Sequence, residues 1–170
     1  ADAKGMLEAS RNTDIHPVPI KSESQQQLTA LHRVRSGWIR TRTTRINCAR
    51  GLLAELGIVF PKGSSGVADR ILGILEDAET PLPPAMREVL HQLVLEIGEL
   101  ETRIDAVGKQ LEALAAETPL VERLQTIPGI GPISSTALAG FMGDAARFRS
   151  SRQFACYLGL TPREHSSGGR

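Results

Sequence analysis

One stretch of the sequence constrains the fold more than any other, because nine large apolar residues recur in it at alternating spacings of four and three. They are Met86, Leu90, Leu93, Ile97, Leu100, Ile104, Val107, Leu111 and Leu114. A repeat of this kind places one continuous apolar seam along a helix. Leaving that seam in water would cost roughly 1.5–3 kcal/mol per large side chain. The sequence therefore predicts a long helix from Ala85 to about Ala116 that packs against a partner.

Charge indicates which partner the seam prefers. In a parallel homodimer, Glu96 and Glu101 would occupy g and e positions and bring like charges together. An antiparallel partner is therefore favoured, and the preceding segment offers a long helix, capped by Ser22 or Ser24 and stopped by Gly57. Two interpretations stay open: a helical hairpin inside one chain, or a coiled coil that pairs across a homo-oligomer.

Composition favours helices elsewhere as well. Aromatic residues make up only 4% of the chain, which favours helices packed on one another over a thick β core. Prolines predict an extended segment over 14–20, a short helix over about 67–78, and several short helices between 119 and 158. The predicted fold is all-α: a long helical hairpin or coiled coil, followed by a small helical domain with a helix-hairpin-helix motif.

Several classes of site and location are excluded or disfavoured by what the sequence lacks. Cys48 and Cys156 have no CxxC or Cys/His ligand spacing, so both are interpreted as free thiols in a reducing cytoplasm. His16, His32 and His91 stand alone and are expected to be surface or packing residues. No apolar run approaches the roughly 18 residues that a membrane span needs, so no membrane partner is expected.

The first long helix is strongly basic. No acidic residue lies between Glu23 and Glu55, and five of its arginines are candidate nucleic-acid contacts: Arg33, Arg35, Arg40, Arg42 and Arg45. A planar guanidinium can grip a phosphate with two hydrogen bonds, and such binding depends steeply on salt. The alternative is that these arginines pair with acids of the heptad helix, namely Glu96, Glu99, Glu101 and Asp105. Both interpretations stay open.

A Pro-Gly-Ile-Gly-Pro turn follows the heptad helix and has the helix-hairpin-helix pattern. Gly129 and Gly131 permit positive φ and leave no side chain to block a close approach. The amides of the turn and of the next helix can then face a phosphate oxygen, while Ile130 is expected to pack inward. Such a motif would grip nucleic-acid backbone without reading sequence. Nearby Arg147, Arg149 and Arg152 would extend the positive surface, and the alternative is a purely structural turn.

The order of several motifs resembles one known family. The motifs are Asp2-Ala-Lys, Val18-Pro-Ile-Lys-Ser22, His32-Arg-Val-Arg35, Arg50-Gly-Leu-Leu-Ala-Glu-Leu-Gly-Ile58, Ile127-Pro-Gly-Ile-Gly131, and Tyr157-Leu-Gly-Leu-Thr-Pro162 followed by Ser166-Ser-Gly-Gly169. Together they resemble the DEDD-type insertion-sequence transposases, insertion-sequence family one-hundred-ten, which are related to the Piv-type DNA invertases. The resemblance covers nearly the whole chain.

The resemblance implies an architecture and a chemistry. It implies a ribonuclease-H-like domain with four magnesium-binding acids, then a coiled coil, then a helical end domain whose serine attacks a DNA phosphate. Residues 1–20 would be the tail of the first domain, 21–118 the coiled-coil region and 119–170 the end domain. By the same resemblance, the partners would be DNA and a structured guide RNA encoded by the element.

Particular residues follow from that resemblance. Asp2 aligns with the last acid of the DEDD set, which makes it both a catalytic and a metal-ligand candidate. Ser167 falls at the position of the attacking serine, with Ser166 as the alternative. Serine needs a base or a metal to become a good nucleophile, so the sequence alone would not single it out. His165 is a weaker candidate for a base, because the family pattern does not require histidine there.

The chain is therefore expected to be an internal fragment of a transposase that cuts and rejoins DNA strands. The fragment would lack most of the N-terminal catalytic domain and the extreme C-terminus, so it is expected to bind nucleic acid without turnover. Magnesium is expected in the intact parent and no cofactor in this fragment, because a two-metal site needs several carboxylates. The alternative function is a non-catalytic helical module for nucleic-acid binding or dimerisation.

Overall fold

Helices account for all regular secondary structure in the part of the chain that the structure, a computed structural model, describes: residues 2–13, 20–59, 63 and 66–160. The helices are α1 (Asp2–Arg11), α2 (Glu23–Glu55), α3 (Val67–Glu76), α4 (Pro84–Ala116), α5 (Pro119–Gln125), α6 (Pro132–Met142) and α7 (Ser151–Tyr157), with a short 3₁₀ helix at Ala145–Arg147 between the last two. The predicted all-α class is confirmed. Within these ranges, no helix has the length and apolarity to cross a bilayer.

The chain divides into two compact units. One is Glu23–Phe141, and the other combines Ala1–Ser22 with Met142–Arg170. The first unit contains α2, α3, α4, α5 and nearly all of α6, and it carries the heptad seam, the basic helix and the Pro-Gly-Ile-Gly turn. The three-part division expected from the sequence stays a prediction.

The first unit is built on an antiparallel hairpin of α2 and α4. Arg42 pairs with Glu101 and Arg45 pairs with Glu96, so rising numbers on α2 meet falling numbers on α4. Gly57 ends α2 with a φ of 79°, as expected for a glycine that follows a helix. The heptad seam therefore has its partner inside the chain, and the hairpin interpretation is confirmed. Pairing across a homo-oligomer stays a prediction.

The seam of α4 is buried with one systematic difference from the heptad pattern. Six of the nine predicted residues are buried, whereas Met86, Leu93 and Leu114 are only half-buried. Val94 and Ala115 are buried in addition. An ideal helix has 3.6 residues per turn, so the apolar face drifts relative to a strict heptad. Val94 belongs to a core that includes residues of α3, and Ala115 to a core that includes Val121 of α5, so the apolar face of α4 serves these helices as well as α2.

Two separate apolar cores hold the hairpin at its two ends. The α3 core consists of Ile46, Ala49, Leu53, Val67, Ile71, Leu82, Leu90, Val94 and Ile97. The α6 core consists of Leu28, Val107, Leu111, Ala115, Val121 and Ala139, with Trp38 and Ile133 packed against it. Leu100 and Ile104 are buried between them and belong to neither. The hairpin therefore has an apolar core at each end, and its middle, at Leu100 and Ile104, belongs to neither core.

One arginine closes the connection between α3 and α4. Arg87 donates hydrogen bonds to three backbone carbonyls, those of Leu75 at 2.8 Å, Asp77 at 3.1 Å and Thr80 at 2.8 Å. Carbonyls at the end of a helix have no partner within that helix. The guanidinium supplies one, which fixes how the chain turns from α3 into α4.

Candidate nucleic-acid interface

The Pro-Gly-Ile-Gly turn lies between α5 and α6, as the sequence predicts. Gly129 adopts a φ of 87°, in the left-handed region, whereas Gly131 is not among the positive-φ glycines. A Cβ added at either glycine would meet nothing within 4 Å. Gly129 is therefore required by backbone conformation, while Gly131 contributes openness. The helix-hairpin-helix assignment itself stays a prediction.

The turn leaves backbone donors without acceptors. Some of its amides are used locally, since Ile130 N–H donates to Ile127 O at 3.1 Å and Ser135 N–H donates to Gly131 O at 3.0 Å. Among the described residues, the remaining amides of the turn and of the first turn of α6 have no backbone acceptor; these are Gly129, Gly131, Ile133 and Ser134. Unpaired donors at the positive end of a helix favour an anion. This arrangement suits a phosphate oxygen.

The isoleucines in and beside the turn are only partly buried, although Ile130 was predicted to pack inward. Ile130 is half-buried, but it is not among the residues packed against the α6 core. Ile127 remains 48% exposed, and only Ile133 packs on that core. The turn is therefore held mainly by what α6 contacts and only weakly by its own side chains.

Two polar contacts attach α6 to α2. The hydroxyl of Thr29 lies 3.1 Å from the carbonyl oxygen of Gly140 and shares its one hydrogen with the carbonyl of Gln25 at 2.8 Å, and His32 Nε2 lies 3.0 Å from Thr136 Oγ1. The helices touch closely here, because a Cβ on Gly140 would lie 3.2 Å from the Cβ of Leu28. None of these contacts was predicted from the sequence. The available signal was the small-residue pair Thr136 and Gly140, one helical turn apart on α6.

His32 is buried in this contact, with 9% of its surface exposed. Burial lowers the pKa of the imidazole from its ordinary value of 6.5, and the nearby charge of Arg35 lowers the pKa further. The hydroxyl of Thr136 also donates to the carbonyl of Pro132 at 2.7 Å, so its hydrogen is already in use. From this network we assign the neutral tautomer in which Nε2 carries the hydrogen and donates to Thr136.

The basic helix divides its arginines between two faces. Arg42 and Arg45 face α4, where their distances to Glu101 and Glu96 are 3.8 Å and 2.7 Å. Arg35 also turns toward α4 and lines an open groove with Ile104 and Asp105. The Nε atoms of Arg35 and Arg42 are shielded from water and have no hydrogen-bond partner in the described part of the chain. The aliphatic stems of these arginines cover the middle of the seam.

The other two candidates point away from the hairpin. Arg33 and Arg40 are exposed, lie seven residues apart on one helical face, and form no ion pair with any residue that the structure describes. On that face the small residues Ser36 and Gly37 lie between them, and a Cβ added at Gly37 would meet nothing within 4 Å. The alternative given in the sequence analysis, pairing with acids of α4, therefore applies to Arg42 and Arg45 but not to Arg33 and Arg40.

The arginines of the second unit also differ from one another. The Arg147 guanidinium lies 4.6 Å from the ring centroid of Phe148 and 4.4 Å from that of Tyr157. Phe148 also meets Phe154 edge to face at a centroid distance of 5.0 Å. Arg147 is therefore part of an aromatic cluster, which uses its cation locally. Arg149 and Arg152 are exposed. As phosphate contacts, all three stay predictions.

The catalytic candidates are the least constrained by the structure. Asp2 is exposed at the start of α1. Across the described ranges, no group of three or more His, Cys, Asp or Glu side chains could hold a metal ion. These residues alone do not fit a two-metal magnesium site, which needs several carboxylates. Ser166, Ser167 and His165 lie outside the described residues. Their roles, and that of Asp2, stay predictions.

Comparison with known proteins places these features in context. The profile of the family described as "Transposase IS116/IS110/IS902 family" matches residues 121–170, the segment that contains the turn, α6 and α7. A probable family 20 transposase of Pseudomonas aeruginosa is 40% identical over 170 residues, which are 99% of this chain and 50% of that protein. The transposase for insertion sequence element IS1328 of Yersinia enterocolitica is 37% identical, with 99% of this chain and 50% of that protein covered.

A shorter match joins a second group of proteins. The pilin gene-inverting protein of Moraxella lacunata is 47% identical over 45 residues, which are 26% of this chain and 14% of that protein. No solved structure matches the chain. The chain spans about half the length of the first two relatives named above.

Proposed function

The chain belongs to the IS116/IS110/IS902 family of insertion-sequence transposases, and from that premise we propose that it forms the helical, nucleic-acid-gripping part of a DNA recombinase. The observation that carries the proposal is the turn before α6. It offers several unpaired amides around a glycine that is fixed in a left-handed conformation and open to approach. Backbone donors of this kind hold phosphates and carry no base information.

The outward arginines of α2 support the same proposal. Arg33 and Arg40 keep their charges free for a polyanion, whereas α4 already neutralises part of the charge of Arg42 and Arg45. Surface ion pairs such as those of Arg42 and Arg45 with α4 contribute only about 0–1 kcal/mol, so a phosphate can compete for these guanidinium groups. We therefore place the first contacts with nucleic acid at the turn and at the outer face of α2.

A pair of glycine variants tests this placement. Gly129→Val puts a β-branched residue where φ is 87°, and Gly57→Val does the same where φ is 79°, at the opposite end of α2. Neither added Cβ meets another atom within 4 Å, so the two substitutions impose similar backbone strain. Gly129→Val should weaken binding to a labelled mixed-sequence DNA duplex by about ten-fold or more, because charge-assisted hydrogen bonds are lost.

The control should behave differently. Gly57→Val should leave the affinity within about two-fold of the parent value while lowering thermal stability comparably, since its strain is similar. Fluorescence anisotropy across a salt series measures both affinities, and circular dichroism checks the fold. Equal affinities for the two variants would place the contact elsewhere and refute the proposal.

For the complete protein we propose strand cleavage and rejoining through Ser167. Its hydroxyl oxygen would attack the DNA phosphorus, forming a phosphoserine ester while the bond to one deoxyribose oxygen breaks. The hydroxyl proton would pass to a general base, and the departing oxygen would take up a proton. Reversal with a different strand end would rejoin the DNA. In the full-length parent, Ser167→Ala should abolish strand transfer and leave binding intact, with Ser166→Ala as the control. Unchanged recombination in Ser167→Ala would favour the non-catalytic alternative.

We also propose a guide RNA and a second copy of the chain as partners. A turn that grips backbone alone can accept structured RNA as well as DNA, and the family resemblance supports the guide. Because α2 already covers the seam of α4, self-association would use the outer face of α4, where Val89 and Leu95 remain about half exposed. Leu95→Gln should then lower the mass measured by analytical ultracentrifugation. An unchanged mass would remove this face from the proposal.

A further inference from the structure

We propose that His32 is a positioning residue of this interface. Through Thr136, its imidazole fixes α6, and with it the preceding turn, against α2. The inference rests on the proposed nucleic-acid function and adds a residue that has no direct contact with the phosphate. It is carried by the geometry of three hydrogen-bonded groups at the crossing of the two helices.

The crossing has two attachment points that are one turn apart on each helix. Thr29 Oγ1 lies 3.1 Å from the carbonyl oxygen of Gly140, and the imidazole of His32 donates to the hydroxyl of Thr136. The first point is a close backbone approach, because the Thr29 Oγ1 atom would lie 3.2 Å from a Cβ on Gly140. A single point would let α6 pivot. Two points also define its angle, and the His32 contact is the one nearer to the turn.

The His32 contact continues to the first residue of α6. Thr136 accepts from His32 and donates to the carbonyl of Pro132, which directly follows Gly131. Thr136 is fully buried, so water does not compete for these bonds. Linked hydrogen bonds in such surroundings strengthen one another. The chain of bonds therefore runs from the first third of α2 to the point where the turn becomes helix.

The same contact sets the position of the arginines relative to the turn. Arg33 follows His32 directly, and Arg35 lies one turn further along α2. Arg35 lines an open groove together with Ile133, which belongs to the first turn of α6. Without the His32 hydrogen bond, the start of α6 could move relative to these guanidinium groups. Backbone donors and cations would then no longer match the spacing of one phosphate strand.

A double-mutant cycle tests this inference. The variants are His32→Ala, Gly129→Val and their combination, made in the full 170-residue chain. Affinity for the labelled duplex is measured where circular dichroism shows each variant folded. His32→Ala should weaken binding by about five-fold, the value of one missing hydrogen bond. In the double variant it should add little, because a residue that acts through the turn has no effect once the turn is disrupted.

Conservative variants separate positioning from folding. His32→Gln retains an N–H donor at a similar reach and should restore most of the affinity, whereas Thr136→Val removes the acceptor and should behave like His32→Ala. If Gly129→Val binds normally, the proposed function fails and this inference fails with it. If Gly129→Val binds weakly but the two effects simply add, or if His32→Gln binds no better than His32→Ala, the positioning role alone is refuted.

Discussion

The two ends of the α2–α4 hairpin are packed by different means. At the α3 end, three helices meet through large aliphatic side chains, with Leu53, Ile71 and Leu90 fully buried. At the α6 end, the apolar core is smaller, and hydroxyls, an imidazole and a glycine share the buried surface. The end that carries the proposed phosphate contacts is therefore the end with directional packing.

The two kinds of packing suit different tasks. Apolar burial supplies stability but tolerates small shifts, because it has little directional preference. Buried polar groups stabilise less and are costly when unmet, so they specify one arrangement. An interface that must match the spacing of phosphates needs the second property. The α3 end needs only to keep the long helices together.

The largest expected effect comes from truncating one buried leucine in each of the two cores. Leu90→Ala in the α3 core and Leu111→Ala in the α6 core each remove a fully buried leucine and should each lower the free energy of unfolding by about 2–5 kcal/mol. Only Leu111→Ala should also weaken duplex binding, because it loosens the packing around α6. Urea titration and fluorescence anisotropy measure the two quantities. A drop in affinity in Leu90→Ala at full folding would contradict the division.

A second comparison uses two helical glycines. Gly140→Ala places a Cβ 3.2 Å from Leu28 Cβ and Thr29 Oγ1, whereas Gly98→Ala meets nothing within 4 Å. Alanine gains about 1 kcal/mol of helix propensity at either site. Overpacking typically costs about 1–3 kcal/mol, so Gly140→Ala should be neutral to destabilising by about 2 kcal/mol, while Gly98→Ala should stabilise. Thermal melts of the two variants give the comparison, and equal stabilisation would show that α6 does not approach α2 closely.

Much of the hairpin was predictable from local sequence. The alternating spacing of apolar residues sets α4, and the absence of acids between the two end residues of α2, beside a row of acids in α4, favours the pairing of these helices. Gly57 marks the end of α2 for a backbone reason that holds in any context. These signals are local because helices are defined by residues within a few positions of one another.

The hydrogen bond between His32 and Thr136 at the α6 end was not predictable in the same way. His32 and Thr136 are separated by more than a hundred positions, and nothing near either residue indicates the other. The division of the arginines was likewise left open, since a helical periodicity does not say which face meets a partner. Arg147 was predicted as a phosphate contact, yet its stacking on Phe148 and Tyr157 depends on a local fold that the sequence does not spell out.

Paired substitutions of arginine test which face of α2 contacts nucleic acid. Replacing Arg33 and Arg40 by glutamine should reduce the slope of log affinity against log salt by about 1 for each phosphate that is no longer neutralised. Replacing Arg42 and Arg45 should change the slope less, because both side chains are engaged with acids of α4. The salt series is read by anisotropy on the same duplex. Identical slopes in the two double variants would mean that both faces meet nucleic acid equally.

The smallest expected effect is a pH dependence confined to the α6 end. Because burial and Arg35 lower the pKa of His32 below 6.5, the unfolded chain binds a proton there more readily than the folded chain does. The contribution of His32 to stability is therefore fully present above pH 6.5 and decreases as the pH falls from 6.5 toward the folded-state pKa. In urea titrations below that pH, His32→Gln should lose less stability than the parent chain, since glutamine does not titrate. Parallel pH profiles for the two proteins would show that the imidazole binds protons as readily in the folded chain as in the unfolded one. The buried hydrogen bond between His32 and Thr136 would then be absent in solution.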